Sequence, residues 1–263
     1  MSLSIISLHA PDQIESVLRR HTLAHLYELG DLDEFFWPYT VWYGYRDGSA
    51  LHAVCLIYIG DALPVLIATH DDPVDAMRRM LRDAPRLFPA RLYAHLNPTF
   101  LPLLASTYHI QSHGLHYKMG LIDRSRVDVI DTGDVIQFMP TDRAEVEHLY
   151  TASYPGNWFD PRMLQTGHYY GIRHNDQLVS IAGVHVYSSR YRVAALGNIT
   201  THPRWRGQGL GTAVIAKLCH ELRHTVDHIG LNVKADNTGA IRCYERLGFR
   251  HVVDYEECTL TLK

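Results

Sequence analysis

Three glycines alternate with other residues at positions 207, 209 and 211, directly after Arg206. Because glycine has no Cβ atom, such a loop can turn tightly and bring its backbone N–H groups close to a ligand. Residues 213–222 follow with apolar side chains at helical spacing, so the loop leads into the N-terminus of a helix. The free N–H groups and the positive dipole at that end favour an anion, and the arrangement predicts a pyrophosphate site.

The loop differs from the two common nucleotide-binding loops. A P-loop carries Lys-Ser or Lys-Thr after its last glycine, whereas Gly211 is followed by Thr212 and Ala213. A Rossmann fingerprint has the spacing G-x-G-x-x-G and an acidic residue about 20 positions later, whereas the next strand here carries Asn232. On its own, therefore, the loop predicts only a diphosphate site between a strand and a helix.

The segment around the loop resembles the GNAT superfamily of N-acetyltransferases, whose loop has the pattern R-x-x-G-x-G. Elements before and after the loop agree with that family in order and spacing. They comprise 198–201, 206–211 and 231–233, followed by Asn237, Ala240, Tyr244 and 247–249. The resemblance implies that the ligand is acetyl-CoA, used as a co-substrate without a metal.

By the same resemblance, the loop amides hold the pyrophosphate and the pantetheine arm pairs with the backbone edge of the preceding strand. Asn237 would both contact the cofactor and cap the helix that follows it. The cofactor contacts implied in this way are Ile199, Thr200, Thr201, Arg206, Gly207, Gln208, Gly209, Leu210, Gly211, Thr212, Asn237, Ala240 and Tyr244.

Transfer of an acetyl group from a thioester to an amine sets three chemical tasks. The amine must lose a proton, the developing oxyanion needs a hydrogen-bond donor, and the leaving thiolate needs an acid. Tyr244 matches the family's tyrosine, whose hydroxyl would protonate the CoA sulfur; the alternative is a core tyrosine packed on the sheet. For the oxyanion we expect a backbone N–H on residues 199–201.

No motif identifies the general base. The ribosomal-protein N-terminal acetyltransferases, which the segment also resembles, carry a glutamate where this chain has Asn232. An amide cannot accept a proton near neutral pH, and this difference argues against acetylation of peptide N-termini. Histidine titrates in the useful range, and His185 and His202 lie on or beside the predicted central strands. Either histidine, or a chain of water molecules, could take the proton.

Three histidines fall at positions i, i+4 and i+8 of the predicted loop helix, namely His220, His224 and His228. This spacing can chelate a metal ion. Because no acid or cysteine nearby completes a fourth ligand, we expect a solvated helix face rather than a metal site.

The composition narrows the class of protein. The chain has 263 residues and a formal net charge of -3, whereas nucleic-acid-binding proteins are usually distinctly basic. The N-terminus lacks the pattern of a secretory signal, and no apolar run approaches the roughly 18 residues of a membrane span. The four cysteines are dispersed without a C-x-x-C motif, as in reduced proteins. We therefore expect a cytoplasmic enzyme with neither nucleic-acid nor membrane partners.

Both halves of the chain show the same order of predicted elements, which indicates an internal duplication. In the first half we predict a helix at 11–29, strands at 41–45, 50–59, 64–69 and 91–96, helices at 73–83 and after 98, and a strand pair near 108–122. In the second half we predict strands at 135–139, 168–174, 178–188, 194–201, 230–234 and 250–262, with helices from 141, at 209–226 and at 238–247. The fold class is α/β (α+β), with two GNAT-like domains that each have a mixed, mostly antiparallel twisted sheet flanked by helices.

The predicted domains are 1–122 and 135–263, joined by a polar linker at 123–134. In the first domain, residues 69–75 stand where the second has its glycine loop, and they contain three acids and no glycine. Negative charge there would repel a diphosphate, so we expect this domain to be a degenerate copy that binds no CoA. Tandem acetyltransferases with one silent half are known in the family that the chain resembles.

The segment 154–160 is rich in turn residues and aromatic side chains. By resemblance, this connection overlies the acceptor site. Alternatively, Trp158 and Phe159 fill the interface between the two domains.

These observations predict an acetyl-CoA-dependent N-acetyltransferase that acts on a primary amine of a small molecule or peptide. Direct attack in a ternary complex is expected, because no activated cysteine or serine stands out as a covalent relay. One alternative is a CoA-binding sensor or scaffold that has lost catalysis, suggested by Asn232. Another is an enzyme of the same fold that uses a longer acyl-CoA or an acceptor other than an amine. The oligomeric state stays open, with a homodimer as one option.

Overall fold

The computed structural model describes residues 3–60, 62–69 and 74–263, with the backbone alone for Leu3 and Val74. The described chain divides into two compact units. Unit 1 comprises the described residues of Met1–Lys118 together with Val233–Asn237 and His251–Lys263, and unit 2 comprises Met119–Asn232 and Thr238–Arg250. Unit 2 thus ends before the C-terminus, in contrast to the predicted boundaries of 135–263.

The first half of the chain contains six strands and four α-helices within the described residues. In order, they are β1 (Leu3–Leu8), α1 (Pro11–Leu18), α2 (Leu26–Gly30), β2 (Thr40–Asp47), β3 (Ala50–Tyr58), β4 (Val65–Ala68), α3 (Val74–Asp83), β5 (Arg91–Leu96), α4 (Leu101–Leu104) and β6 (Tyr108–Leu121). Short 3-10 turns connect several of them, at Arg19–Ala24, Trp37–Tyr39, Pro85–Leu87 and Pro98–Phe100.

The second half follows with a similar order. Its elements are α5 (Ser125–Asp128), β7 (Ile136–Gln137), α6 (Arg143–Ser153), β8 (Tyr170–His174), β9 (Gln177–Ser188), β10 (Val193–Thr201), α7 (Leu210–Leu222), β11 (His228–Lys234), α8 (Thr238–Arg246) and β12 (Phe249–Leu262). The 3-10 turns here are Pro140–Asp142, Pro161–Thr166 and Pro203–Trp205. No helix in the part of the chain that the structure describes is long and apolar enough to cross a membrane.

The sheet of unit 1 has the strand order β1-β2-β3-β4-β5-β12-β6. Its pairs are antiparallel from β1 to β4 and between β5 and β12, whereas β4 and β5 are parallel. The β2–β3 hairpin turns at Gly48, whose φ of 58° lies in the left-handed region that glycine adopts most readily. One face of this sheet carries the apolar core, to which β12 contributes Cys258 and Leu260.

The sheet of unit 2 has the strand order β11-β10-β9-β8-β7. The pair β10–β11 is parallel, and the remaining pairs are antiparallel. Helix α7 packs against β8, β9 and β10. Mixed, mostly antiparallel sheets flanked by helices are the predicted fold class, which is confirmed.

Several elements differ from the sequence predictions. The helix predicted at 11–29 is interrupted, because His21 has non-helical angles of φ -140° and ψ 64°. The strand predicted at 135–139 is reduced to the two residues of β7. The strands predicted as pairs near 108–122 and at 250–262 are instead the single long strands β6 and β12.

The course of β12 explains why residues 251–263 belong to unit 1. It pairs along β5, with Cys258 opposite Ala94 and Leu260 opposite Leu92, and these four side chains lie in the apolar core of that unit. Pairing along β5 satisfies the backbone of β12, so the strand has no need to fold back on itself as a hairpin.

The other face of the unit 1 sheet carries a cluster of ionisable side chains. His95 alternates along β5 with buried leucine and alanine, so it points away from the apolar core. The Glu257 carboxylate accepts hydrogen bonds from the hydroxyls of Tyr255, at 2.9 Å, and Tyr93, and it lies 3.5 Å from His95 Nε2. Burial lowers the pKa of His95 to about 4, and the neighbouring positive charge of Lys118 acts in the same direction.

We expect truncation of Leu260 to destabilise the protein by about 2–5 kcal/mol, because it leaves a cavity in the unit 1 core. Leu262 lies on the same strand but is 48% exposed, so Leu262→Ala should change the free energy of unfolding by less than about 1 kcal/mol. Urea denaturation of both variants measures the difference. Equal effects would contradict the assignment of β12 to this core.

We expect the protein to lose stability as the pH falls from 6.5 towards 4. The folded state holds the pKa of His95 near 4, below the ordinary histidine value of 6.5, so the unfolded chain binds more protons in this interval. Urea midpoints measured across this range should fall, and His95→Gln should flatten the profile. The exposed His109→Gln serves as the control and should leave the slope unchanged.

Candidate active site

The parallel strands β10 and β11 separate part of the way along their length. They are paired from Val193 opposite His228 to Leu196 opposite Leu231, and the pairing stops there. Residues 197–201 of β10 continue beside β9 only, so the other backbone edge of this stretch is not covered by β11. Unit 2 therefore has an open strand edge where the resemblance places the pantetheine arm, and Asn232 lies where the separation begins.

The glycine loop adopts the geometry that its composition predicts. Gly207 and Gly209 have φ angles of 78° and 83°, in the left-handed region, and a Cβ at either position would meet open space. Gly209 is the N-cap of α7, so the first-turn N–H groups of that helix face the loop without intrahelical partners. A Cβ at Gly211 would lie 3.3 Å from Thr201 Oγ1, so this glycine allows the helix to begin close against β10.

Arg206 joins the loop to the rest of the unit. Its guanidinium donates to the carbonyl of Thr201 at 3.0 Å and to the carbonyl of Ser153 at 3.3 Å. Gln208 is exposed in the loop, and Leu210 and Thr212 lie in the first turn of α7. The arginine therefore holds the loop at the end of β10 and α6.

Tyr244 lies on α8, which contacts the start of α7 through Thr212 Oγ1 and Cys243 Sγ, 3.3 Å apart. The tyrosine is 8% exposed, and its hydroxyl has no hydrogen-bond partner among the described residues. Burial raises the pKa of Tyr244 above its usual value, so the hydroxyl keeps its proton at neutral pH. Asn237 immediately precedes this helix, and Ala240 is in its first turn.

The two histidines considered as bases occupy different environments. The His185 ring lies against the backbone of Gly197, since a Cβ at that glycine would lie 1.3 Å from His185 Cδ2. His202 instead caps the 3-10 turn after β10, where its Nδ1 accepts from the N–H of Arg204 at 3.3 Å. The structure therefore brings His185, but not His202, to the point where β10 and β11 separate.

Two aromatic side chains of segment 154–160, Trp158 and Phe159, lie in different surroundings. Trp158 is 38% exposed, and its ring centroid is 5.6 Å from that of His185. Phe159 packs against Tyr150 and Tyr169, with ring centroids 4.9 Å and 5.9 Å away. Within unit 2, therefore, Trp158 extends the site beside His185, and Phe159 is a packing residue.

Two residues near the site were not predicted from the sequence, Tyr150 and Tyr169, whose hydroxyls form hydrogen bonds with Asn198. One signal was available, because asparagine is disfavoured within strands and tolerates positive φ, which indicates a bulge. Nothing in the sequence indicates which hydroxyls meet that bulge.

Of the three histidines predicted on the loop helix, only His220 lies in α7, because the helix ends at Leu222; His224 follows it and His228 begins β11. The His220 Nε2 atom lies 3.6 Å from an oxygen of Asp128, on α5. Among the residues that the structure describes, no group of three or more histidine, cysteine or acidic side chains could hold a metal ion.

Most of unit 2 matches a known protein family. Residues 136–249 match the model of the acetyltransferase (GNAT) family, and they include the open strand, the glycine loop and Tyr244. This part of the chain is therefore similar to the acetyltransferases of that family.

The [ribosomal protein bS18]-alanine N-acetyltransferase of Escherichia coli K12 is one curated relative. It is 44% identical over 57 residues, which are 21% of this chain and 38% of the relative. The enzyme of Shigella flexneri with the same name matches to the same extent. The matched segment thus spans well under half of these relatives.

Solved structures show that the fold extends over nearly the whole chain. A tandem GNAT protein from the clavulanic acid biosynthesis pathway superimposes with a TM-score of 0.57 at 15% identity, over 98% of each chain. A Drosophila protein gives 0.72 at 14% identity over 98% of each chain. A GNAT-family acetyltransferase from Novosphingobium aromaticivorans gives 0.57 at 20% identity, over 82% of this chain and 91% of its own.

Removal of the Tyr244 hydroxyl should lower kcat by about 10²- to 10⁴-fold, the usual contribution of a positioned acid. The CoA dissociation constant should change less than about threefold, because the ring stays in place. Tyr170→Phe, on β8, is the control and should leave both quantities unchanged. Equal losses of turnover and CoA affinity in Tyr244→Phe would make Tyr244 a packing residue.

Proposed function

We propose that this protein is an acetyl-CoA-dependent N-acetyltransferase that transfers an acetyl group to a primary amine by direct attack in a ternary complex. The observation that carries the proposal is the open edge of β10 beside the glycine loop at the start of α7. Backbone groups of the loop and first turn would hold the pyrophosphate, and the edge at residues 199–201 would pair with the pantetheine arm. The thioester would then lie near the point where β10 and β11 separate.

The structure offers a clearer candidate for the general acid than for the general base. Tyr244 is protonated at neutral pH because burial raises its pKa, and it would donate to the departing CoA sulfur. His185 is the better placed of the two candidate bases, since its ring lies on Gly197 at the separation point. It would accept the amine proton directly or through water, a role that Asn232 cannot fill.

Direct transfer is favoured over a cysteine relay. Burial raises the pKa of the Cys55, Cys219 and Cys258 thiols to about 12, so these groups are not thiolates at neutral pH. Cys243, near the site, has its sulfur 3.3 Å from the hydroxyl of Thr212, which is not a basic group. The four cysteines are free thiols, which fits the proposed cytoplasmic location.

Unit 1 is proposed to be a non-catalytic copy. Its parallel pair β4–β5 remains in register to the end, with Ala68 opposite Leu96, and the Asn97 N–H donates to the Ala68 carbonyl at 3.1 Å. No backbone edge opens between these strands for a pantetheine arm, unlike the pair in unit 2. Residues 70–73 of the acidic loop at 69–75, which was expected to repel a diphosphate, lie outside the described residues, so the closed strand pair carries this proposal.

The acceptor is proposed to be an amine of a small molecule or peptide. The curated relatives are named for an alanine of a ribosomal protein, which makes peptide amines a class to test. Asn232 stands where such enzymes carry a glutamate, so small-molecule amines are tested beside them.

Gly209→Glu should abolish measurable CoA binding, weakening it roughly 100-fold or more. The substitution strains a left-handed position and puts a carboxylate where the pyrophosphate would lie. Calorimetric titration with acetyl-CoA and CoA measures the effect. Gly48→Glu is a matched control, since that glycine also has positive φ and open space around its Cβ, in the β2–β3 turn. Unchanged CoA binding in Gly209→Glu would refute the loop assignment.

Thiol release over polyamines, amino acids, aminoglycosides and short peptides tests the activity itself. Release with one acceptor class would support the transferase and identify its substrate. Binding of CoA without release on any amine, with acetyl-CoA or longer acyl-CoA, would favour a CoA-binding sensor. Turnover that requires a longer acyl chain or a hydroxyl acceptor would favour a different acyltransferase of this fold.

A further inference from the structure

Asn198 has an unusual backbone conformation for a residue within a strand. Its φ is 54°, in the left-handed region, and the residue is 3% exposed. The register of β10 on β9 shifts here, since Gly197 lies opposite Gly183 but Thr200 lies opposite Ile181. Two residues of β10 therefore face one residue of β9, which is a β-bulge. The bulge begins at Asn198, two residues beyond Leu196, the last residue of β10 paired with β11.

The conformation of Asn198 is held by side chains from three other segments. Its amide Nδ2 donates to the Tyr169 hydroxyl at 3.0 Å, and its Oδ1 accepts from Asn157 Nδ2 at 3.3 Å. Tyr169 in turn donates to the carbonyl of Val184 at 3.1 Å, so its oxygen is free to accept from Asn198. The Tyr150 hydroxyl donates to the backbone carbonyl of Asn198 at 2.9 Å. Every polar group of this side chain is thus matched.

The bond from Tyr150 sets the direction of one peptide group. In a trans peptide, the carbonyl of one residue and the N–H of the next point in opposite directions. Because the Asn198 carbonyl is turned towards Tyr150 on α6, the N–H of Ile199 is turned away from that helix. This N–H belongs to the stretch of β10 left uncovered by β11, where the thioester carbonyl would lie.

We propose that Asn198 is a positioning residue, which with Tyr150 and Tyr169 aims the Ile199 N–H at the oxyanion of the thioester. The inference rests on the proposed function, since it assumes that a thioester occupies the edge of β10. A donor held rigidly in this way stabilises charge in the transition state more than it stabilises bound CoA. Its loss therefore lowers kcat and leaves cofactor affinity nearly unchanged.

The same network reaches the segment 154–160. Asn157 binds the Asn198 side chain, and Phe159 packs between the rings of Tyr150 and Tyr169. The wall beside the acceptor and the oxyanion donor thus share their supporting residues. A substitution in either the wall or the network should therefore change kcat with the amine.

The test compares Asn198→Ala, Asn198→Gly and Tyr150→Phe in the full chain. We expect Asn198→Ala to lower kcat about 100-fold, because both the side-chain bonds and the tolerance of positive φ are lost. Asn198→Gly keeps that tolerance and should recover part of the loss, to about tenfold below wild type. Tyr150→Phe removes one oxygen atom and should lower kcat about tenfold. The CoA dissociation constant should stay within about threefold in all three variants.

The controls separate positioning from folding. Tyr170→Phe removes a hydroxyl from a buried tyrosine of unit 2 that lies outside this network, and it should leave kcat unchanged. Urea midpoints report stability; Tyr150→Phe keeps the ring and remains informative if Asn198→Ala fails to fold. Wild-type kcat in Tyr150→Phe and Asn198→Gly would overturn the inference. So would losses of CoA affinity as large as the losses of kcat.

Slow thiol release with water as acceptor distinguishes this inference from the proposed function. Hydrolysis of acetyl-CoA forms the same oxyanion without an amine, so the variants should reduce it in the same order. A wild-type protein that binds CoA but releases no thiol with amines or water would refute both proposals. Normal wild-type transfer with unaffected variants would refute only the role of Asn198.

Discussion

The structure of unit 2 depends on the interruption of pairing between β10 and β11 after Leu196. Two parallel strands in a sheet normally satisfy each other's backbone groups along their full length. Here the bulge at Asn198 turns β10, and the uncovered edge that results must be satisfied by something other than β11. A ligand with amide groups, such as the proposed pantetheine arm, would supply these donors and acceptors. The glycine loop, α7 and Tyr244 are all placed relative to that opening.

Unit 1 shows what the same arrangement becomes without the interruption. Its equivalent parallel pair stays closed through Ala68 and Leu96, and both residues are buried in an apolar core. The strand order is similar in both units, but in unit 1 the edge of β4 is already paired with β5. We propose that this difference in the pairing of a few residues separates a ligand-binding sheet from a structural one, although both units have related topology. The polar cluster around Glu257 lies on the other face of the unit 1 sheet.

The sequence predicted the structure most closely where the residue types of a short segment decide its backbone conformation. Gly207 and Gly209 need positive φ, and their spacing before an amphipathic helix predicted the loop and the start of α7 within one residue. Alternation and β-branched residues likewise predicted β3, β5, β9 and β10 closely. Periodicity was less informative at residues 11–29, where a single turn at His21 breaks the helix. The predicted fold class is confirmed, and residues 136–249 match the model of the GNAT family that the sequence resembles.

The sequence by itself determined the resemblance to the GNAT family, the conformation of the glycine loop and the place of Tyr244 one helix away, because these depend on residue types at short spacings. Only the tertiary structure decided which strand completes which sheet and where β10 leaves β11. Cys258 and Leu260 could be buried against any apolar face, and pairing with β5 places them in unit 1. Likewise, His185 and His202 were equivalent in sequence, but contacts between distant segments bring only His185 to the opening. Such choices depend on pairing and packing across long sequence separations, which no local pattern records.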